Sequence, residues 1–220
     1  MIDIPIKKFP TPFNQDFLDK CLLQKDGYNR HGIVHDLEFL DYLRENYKNM
    51  KFRDDYRMFN LFNTRRYHTH TDPICENYFA NFKEKYGLKD MSHYILEYRE
   101  GSFAKIHMDN LSELTMITLL DLEDGTIGGD VIAIGGAWVK NGPDEKKHLV
   151  IPEEKWQQIP KTEKAVKLTM MPTIAKLNVN ETISYGNSAQ HGVTQLRSGR
   201  RLVLVQWCYY NFTREEKGVD

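Results

Sequence analysis

Residues 191–207, HGVTQLRSGRRLVLVQW, join a histidine-led turn to a β-strand that is apolar on both of its faces. Side chains alternate between the two faces of a strand, so Val203 faces one way while Leu202 and Leu204 face the other. Apolar side chains on both faces are typical of a sheet that is covered on both sides. The sequence therefore predicts a β-sheet with helices packed on its outside.

The apolar residues recur with a period of two from Met91 onward, which is typical of strands, and glycines separate the segments. Candidate strands cover residues 92–98, 103–109, 113–121, 129–139, 165–171, 174–178, 181–185, 189–195 and 200–211. Many short strands with regular turns favour a double-sheet jelly roll. The predicted fold class is mainly β, with a cupin-like double-stranded β-helix core and N-terminal helices packed on the outside of one sheet.

The N-terminal third carries apolar residues at helical spacing instead. Helices are predicted over residues 14–24, 35–50 and 73–86. Asp72 and Pro73 are typical of a helix start, because aspartate caps free backbone N–H groups and proline fits the first turn. The first third of the chain is therefore expected to support the β core.

The length of 220 residues is typical of a single domain, which we expect to span residues 1–220. Within it, residues 1–90 are the predicted helical support region and residues 91–213 the predicted double-stranded β-helix core. The segment 141–164 is polar and contains prolines, so it is expected to be a long surface excursion. It either closes over a site as a lid or is an insertion without a role.

The chain has 30 basic and 31 acidic residues, so its net charge of −1 gives no electrostatic reason to expect nucleic acid or an acidic membrane as a partner. Cys21, Cys75 and Cys208 are far apart and odd in number, which favours free thiols in a reducing compartment. The first residues lack a signal-peptide pattern, and no apolar stretch approaches the length of a membrane span. We therefore expect a cytoplasmic protein.

Two His-x-Asp triplets could supply metal ligands, and their settings differ. His70 and Asp72 precede Pro73 at the predicted helix start, where capping accounts for the aspartate. His107 and Asp109 follow an extended segment, and residues two apart on a strand face the same side. The second triplet is therefore the predicted metal site, and the first is interpreted as structural.

His191 could complete that site from the turn before the last strand. Two histidines and a carboxylate form the ligand set of a ferrous iron centre with open positions for reactants. A nearby arginine could hold the carboxylate of an organic acid bound there. Arg200 and Arg201 are both candidates, and Arg201 is the one that shares a strand face with Val203 and Trp207.

These elements, in this order, resemble the iron(II)- and 2-oxoglutarate-dependent dioxygenases, specifically their prolyl 4-hydroxylase-like branch. The similarity covers about residues 98–209, more than half of the chain. The matching positions are Tyr98, Gly101, Phe103, His107, Asp109, Gly128, Gly129, Asp130, His191, Val193, Gly199, Arg201 and Trp207. In this family the basic residue precedes the tryptophan by six positions, which favours Arg201 over Arg200.

The resemblance implies that His107, Asp109 and His191 bind Fe(II). Arg201 would pair with the distal carboxylate of 2-oxoglutarate. The implied reaction hydroxylates an unactivated C–H bond and is coupled to decarboxylation of 2-oxoglutarate to succinate and CO₂. O₂ would be the other cosubstrate, and ascorbate could act as a reductant.

The resemblance also implies further contacts with the reactants. Tyr98 would hydrogen-bond the cosubstrate, and Trp207 would lie near the substrate. Some relatives carry a second tyrosine on the strand after the His-x-Asp triplet, where this chain has Thr118 or Leu119. The hydroxyl of Thr118 could substitute for that tyrosine.

Two substrate classes fit the resemblance: a prolyl residue in a peptide, and a free amino acid or other small metabolite. A nucleic-acid dealkylase of the same superfamily is disfavoured, because those enzymes carry a second arginine six residues after the first, where this chain has Trp207. A non-oxidative cupin-like metal-binding protein, such as an isomerase or a sugar-binding module, is disfavoured by Arg201 and Tyr98.

Overall fold

The computed structural model describes residues 29–54, 61–107, 109, 112–134, 172–186 and 190–217. Antiparallel strands dominate this part of the chain, accompanied by helices. The strands are β1 (Asn29–Ile33), β2 (Phe52–Asp54), β3 (Leu61–Tyr67), β4 (Asp90–His107), β5 (Leu114–Leu122), β6 (Val131–Ile134), β7 (Pro172–Ala175), β8 (Glu181–Gly186), β9 (Gln190–Val193) and β10 (Arg201–Tyr209). The helices are α1 (Leu37–Asn46) and α2 (Pro73–Lys85).

The sheet follows the path β1-β8-β5-β10-β4-β9-β6-β7. It curls at β4, the long strand that joins the two parts of this path. The first half of β4 pairs with β10 and its last residues pair with β9, while β3 lies along its other edge. Leu119 and Val203 from one part of the path share a core with Val131 and Val193 from the other. This curled arrangement confirms the predicted double-stranded β-helix.

Strand β10 is buried on both faces, as its sequence predicts. Leu202 and Leu204 pack into a core with Phe39 of α1 and Phe82 of α2. Val203 points the other way, into the core inside the curled sheet. The helices therefore cover the outside of one sheet, and the inner face is left for a site.

Helix α2 begins as predicted, with Asp72 as its N-cap and Pro73 in its first turn. The Asp72 Oδ1 atom accepts hydrogen bonds from the backbone N–H groups of Ile74 at 2.9 Å and Cys75 at 3.1 Å, and Oδ2 accepts one from the Tyr42 hydroxyl at 2.7 Å. The cap therefore accounts for this aspartate, and its triplet is structural.

No helix in the described part of the chain is long and apolar enough to span a membrane.

The helix predicted over 35–50 is confirmed by α1 and the short turn after it, but the N-terminal third contains more strand than predicted. Strand β3, with the sequence LFNTRRY, lacks the apolar alternation expected of a strand because polar side chains occupy inward positions. Thr64 is fully buried, and the guanidinium carbon of Arg66 lies 4.0 Å from the centre of the Tyr94 ring. The predicted helix 14–24, the predicted strand 165–171 and the segment 141–164 lie outside the described residues.

Three of the predicted strands need correction. Residues 92–98 and 103–109 do not form two strands, because β4 runs from Asp90 to His107 without a break. Gly101, at φ +85°, sits where the pairing with β3 shifts register, so the irregularity is absorbed within the strand. The strand predicted over 174–178 ends earlier, because β7 covers Pro172–Ala175. In the residues that follow, the Glu181 side chain accepts a hydrogen bond from the Asn178 backbone N–H at 2.9 Å.

Two buried histidines, His31 and His35, and the mostly buried His93 make the stability of the fold depend on pH. Burial lowers the pKa of His31 and of His35 to about 4, and that of His93 to about 3, from 6.5. The unfolded chain therefore binds these protons more readily, so stability is full above pH 6.5 and is lost as the pH falls towards 4. Each histidine contributes about 1.4 kcal/mol per pH unit in that window, so the free energy of unfolding of the metal-free protein should be about 4 kcal/mol lower at pH 5.5 than at pH 7.5. Urea unfolding at the two pH values measures this difference.

The matched control is His35→Gln, which cannot take up a proton. The Nε2 atom of His35 lies 2.7 Å from Gln206 Oε1, and a glutamine keeps an N–H donor for that oxygen. The decrease of the unfolding free energy between the two pH values should be smaller by about one third in this variant. An unfolding free energy of the wild type that is constant from pH 7.5 to 5.5 would contradict the prediction.

Candidate metal centre

Three side chains with metal-ligand chemistry converge inside the curled sheet. His107 Nε2 lies 3.6 Å from Asp109 Oδ1, and His191 Nε2 lies 3.5 Å from Asp109 Oδ2. The two imidazole rings are 4.4 Å apart between their centroids. The three ligand atoms all lie within 4.8 Å of one another, and no second group of this kind exists among the residues that the structure describes.

The pairing of β4 with β9 brings these residues together. His107 ends β4 and lies directly opposite His191 in the register of the two strands, and Asp109 follows two residues later. The close approach requires Gly192, because a Cβ atom there would lie 2.9 Å from the carbonyl oxygen of Ala104. A long-range strand pairing thus completes a site whose histidines are far apart in the sequence.

The histidine at the end of β4 is held in the form that a metal requires. His107 Nδ1 lies 2.6 Å from the backbone carbonyl of Lys105. A carbonyl only accepts hydrogen bonds, so Nδ1 carries the proton and donates it. In the neutral ring Nε2 then has a free lone pair on the side of Asp109.

The two adjacent arginines have opposite environments. Arg200 donates a hydrogen bond to the Tyr47 hydroxyl at 2.9 Å and pairs with Asp121. Arg201 is only 4% exposed, and its Nη1 atom has no hydrogen-bond partner within the described part of the chain. Burial lowers the pKa of Arg201, with Tyr98 opposing that shift, yet a guanidinium stays charged in proteins. A buried charge of this kind needs an anion.

A cleft of about 400 Å³ is lined by Arg201 and, among other residues, by Val131. Gly129 makes room for the arginine, because a Cβ atom there would lie 3.3 Å from Arg201 Cδ and 2.7 Å from the Leu196 side chain. The Tyr98 ring centre lies 5.2 Å from the guanidinium carbon. Burial raises the pKa of Tyr98 to about 12; the positive charge of Arg201 opposes this increase, and the negative charge of Asp109 adds to it. Tyr98 therefore lies within electrostatic reach of both ends of the site.

The structure brings Trp207 to this face but not Thr118. Trp207 is half-buried, meets the Tyr94 ring edge-on with centroids 6.0 Å apart, and lies opposite Thr115 in the strand register. Thr118 is opposite Leu204, on the side of the helices, and its hydroxyl lies 2.8 Å from the Thr182 hydroxyl. The predicted contact of Thr118 with a cosubstrate is therefore incompatible with its orientation.

Two residues that sequence reasoning missed belong to the site. Tyr185 is buried, and its ring lies 4.0 Å from that of His191 between centroids. Burial, followed by the charge of Asp109, raises the pKa of Tyr185 well above its usual value, so its hydroxyl stays protonated. Thr115 donates a hydrogen bond to Asp109 Oδ2 at 2.7 Å. In the sequence, only the position of Tyr185 six residues before His191 indicated that it could lie near the metal centre.

The residues present fit a ferrous ion with a bound dicarboxylate. Two imidazoles and one carboxylate on one side leave further coordination positions to reactants. The buried Nη1 atom of Arg201 could pair with the far carboxylate of such a ligand. An anion that binds both the metal and Arg201 would neutralise this buried charge.

No protein-family model matches the chain, and no curated protein sequence does. Solved structures are similar to it in three dimensions. A prolyl-4-hydroxylase of Pseudomonas putida aligns with a TM-score of 0.56 and 13% identity, over 87% of this chain and 96% of that one. HygX of Streptomyces hygroscopicus, with nickel, 2-oxoglutarate and hygromycin B bound, has a TM-score of 0.57 and 13% identity, over 86% of each chain.

A prolyl hydroxylase of Trichoplax adhaerens, in complex with a peptide fragment of the hypoxia-inducible factor, aligns with a TM-score of 0.54 and 10% identity, over 87% of this chain and 86% of that one. At these identities the likeness shows the fold. The chain therefore has the fold of the 2-oxoglutarate- and Fe(II)-dependent oxygenases.

Proposed function

We propose that this chain is an Fe(II)- and 2-oxoglutarate-dependent dioxygenase that hydroxylates an unactivated C–H bond of its substrate. The observation that carries the proposal is the cluster of His107, Asp109 and His191 together with the buried guanidinium of Arg201. A metal-binding module without an organic anion gives no reason for a buried guanidinium with a free Nη1 atom among the described residues. The fold shared with 2-oxoglutarate oxygenases supports the same function.

When bound, iron and 2-oxoglutarate would supply the activation of O₂, the oxidant, one atom of which would enter the substrate and the other succinate, with release of CO₂. The chain itself orients these groups. His107 presents Nε2 because its Nδ1–H is held by the Lys105 carbonyl. Arg201 would hold the distal carboxylate of 2-oxoglutarate, and the protonated Tyr98 hydroxyl would donate to the same molecule. Buried apolar side chains such as Val193 exclude water from the site.

We propose a prolyl residue in a peptide as the first substrate to test, with a free amino acid or another small metabolite as the alternative. Two of the similar structures are prolyl hydroxylases, one of them with a bound peptide, and the third holds hygromycin B. In this chain, the half-buried Trp207, packed edge-on against Tyr94, offers an aromatic surface that suits an apolar ring. The net charge of −1 argues against a nucleic-acid substrate.

The reaction class is tested by anaerobic titration. Fe(II) followed by 2-oxoglutarate should produce a visible metal-to-ligand charge-transfer band, because the keto-acid chelates the iron, and O₂ should then yield succinate. Succinate in place of 2-oxoglutarate is the control and should give no band. Binding of Fe(II) without a band would favour a non-oxidative cupin-like metal protein over the proposed oxygenase.

The substrate class is tested by mass spectrometry. A library of proline-containing peptides and a pool of free amino acids and small metabolites are incubated separately with enzyme, Fe(II), 2-oxoglutarate and ascorbate. A gain of one oxygen in a peptide, retained when flanking residues vary but lost when alanine replaces the proline, supports the prolyl substrate. A gain confined to the small-molecule pool supports the alternative.

A further inference from the structure

Two buried hydroxyl groups form a chain that ends on the Asp109 carboxylate. Thr115 Oγ1 lies 2.7 Å from Asp109 Oδ2, and Ser112 Oγ lies 3.0 Å from Thr115 Oγ1. Both hydroxyl residues are 1% exposed. An ionised carboxylate only accepts, so Thr115 donates its proton to Asp109, and Ser112 must be the donor in its contact with Thr115. The longer contact of Ser112 Oγ with the Asp109 carbonyl oxygen, at 3.3 Å, competes for the Ser112 proton.

The Asp109 carboxylate needs an anchor because it does not lie on a strand. Strand β4 ends at His107, whereas Thr115 lies in β5, which is paired on both sides with β8 and β10. The Ser112 backbone N–H also donates to the Asp109 carbonyl at 3.2 Å. Thr115 therefore links a ligand on a connecting segment to the interior of the sheet.

We propose that Thr115, supported by Ser112, is a positioning residue that holds Oδ2 of Asp109 in a hydrogen bond, so that Oδ1 is the oxygen offered to the metal. This inference rests on the proposed function. A carboxylate that offers one oxygen uses one coordination position and preserves the positions that the cosubstrates require. Partners that orient metal ligands typically change metal affinity by about 10–100-fold when removed.

The test uses Co(II) as the probe, because its visible spectrum reports both binding and coordination number. Thr115→Val removes the donor at nearly constant volume, and we expect it to weaken Co(II) binding by about 10-fold or more and to change the spectrum. Thr115→Ser keeps the hydroxyl, so its dissociation constant should stay within about threefold of the wild type with an unchanged spectrum. Ser112→Ala should fall between the two.

Thr118→Val is the matched control, because Thr118 is a buried threonine of the same strand whose hydroxyl faces away from the metal centre. It should leave Co(II) affinity and the spectrum unchanged. Thermal unfolding in the presence of a chelator compares the folds of the two valine variants. If Thr115→Val does not fold, Thr115→Ala replaces it. Thr115→Ser should then bind Co(II) more tightly than Thr115→Ala.

The outcomes separate the inference from the proposed function. A wild type that binds Co(II) together with a Thr115→Val variant of equal affinity and spectrum overturns the role of Thr115 alone. Equal loss of affinity in Thr115→Val and Thr118→Val also overturns it, since the effect would then be structural. A wild type that binds neither Co(II) nor Fe(II) overturns the proposed function, and the role of Thr115 falls with it.

Discussion

Replacing His107 with alanine is expected to abolish 2-oxoglutarate turnover, whereas replacing His70 with alanine should leave it nearly intact. His107 offers one of the three ligand atoms of the cluster, and its loss leaves only His191 and Asp109. We expect turnover to fall by at least about 1,000-fold, which corresponds to about 4 kcal/mol of lost transition-state stabilisation. Succinate formation and the iron content of the purified variants are the measurements.

His70 provides a sharp control because it belongs to the other His-x-Asp triplet. It is exposed, and its triplet aspartate, Asp72, is used by the N-cap of α2. His70→Ala should therefore retain both iron and activity. An inactive His70→Ala variant combined with an active His107→Ala variant would show that the wrong triplet had been assigned to the metal.

Replacing Arg201 with glutamine is expected to raise the dissociation constant of 2-oxoglutarate by at least about 100-fold, while binding of Fe(II) alone stays near the wild-type value. Breaking a buried charge pair by removing one partner typically costs about 3–5 kcal/mol, and this would leave the cosubstrate carboxylate buried without a cation. Arg201→Lys should recover only part of the affinity, because an ammonium group cannot bind a carboxylate in the bidentate manner of a guanidinium. Titration of the Fe(II)-loaded variants with 2-oxoglutarate measures both.

The neighbouring arginine supplies the matched control. Arg200 binds Tyr47 and Asp121 on the side of the sheet that the helices cover. Arg200→Gln should therefore lower the unfolding temperature by a few degrees, as expected for about 1 kcal/mol, without changing the affinity for 2-oxoglutarate. If Arg200→Gln weakened 2-oxoglutarate binding and Arg201→Gln did not, the assignment of the two arginines would be reversed.

Much of the fold could be predicted because its signals are local. Strand parity alone separates Val203 from Leu202 and Leu204, and the structure places them in different cores. Capping chemistry alone identifies Asp72 as the start of a helix. The strands of the N-terminal third were missed because their polar inward residues, such as Thr64, lack the apolar alternation that marks a half-buried strand.

The double-stranded β-helix, the two faces of β10 and the residue types able to form a metal centre could all be predicted from local sequence patterns. The hydroxyl groups that face that centre could be identified only from the packing of distant strands. Thr118 points towards the helices, whereas Thr115 reaches Asp109 and Tyr185 lies against His191. This difference arises because the face of a residue follows from strand parity, whereas its neighbours follow from the register between strands that are far apart in the sequence.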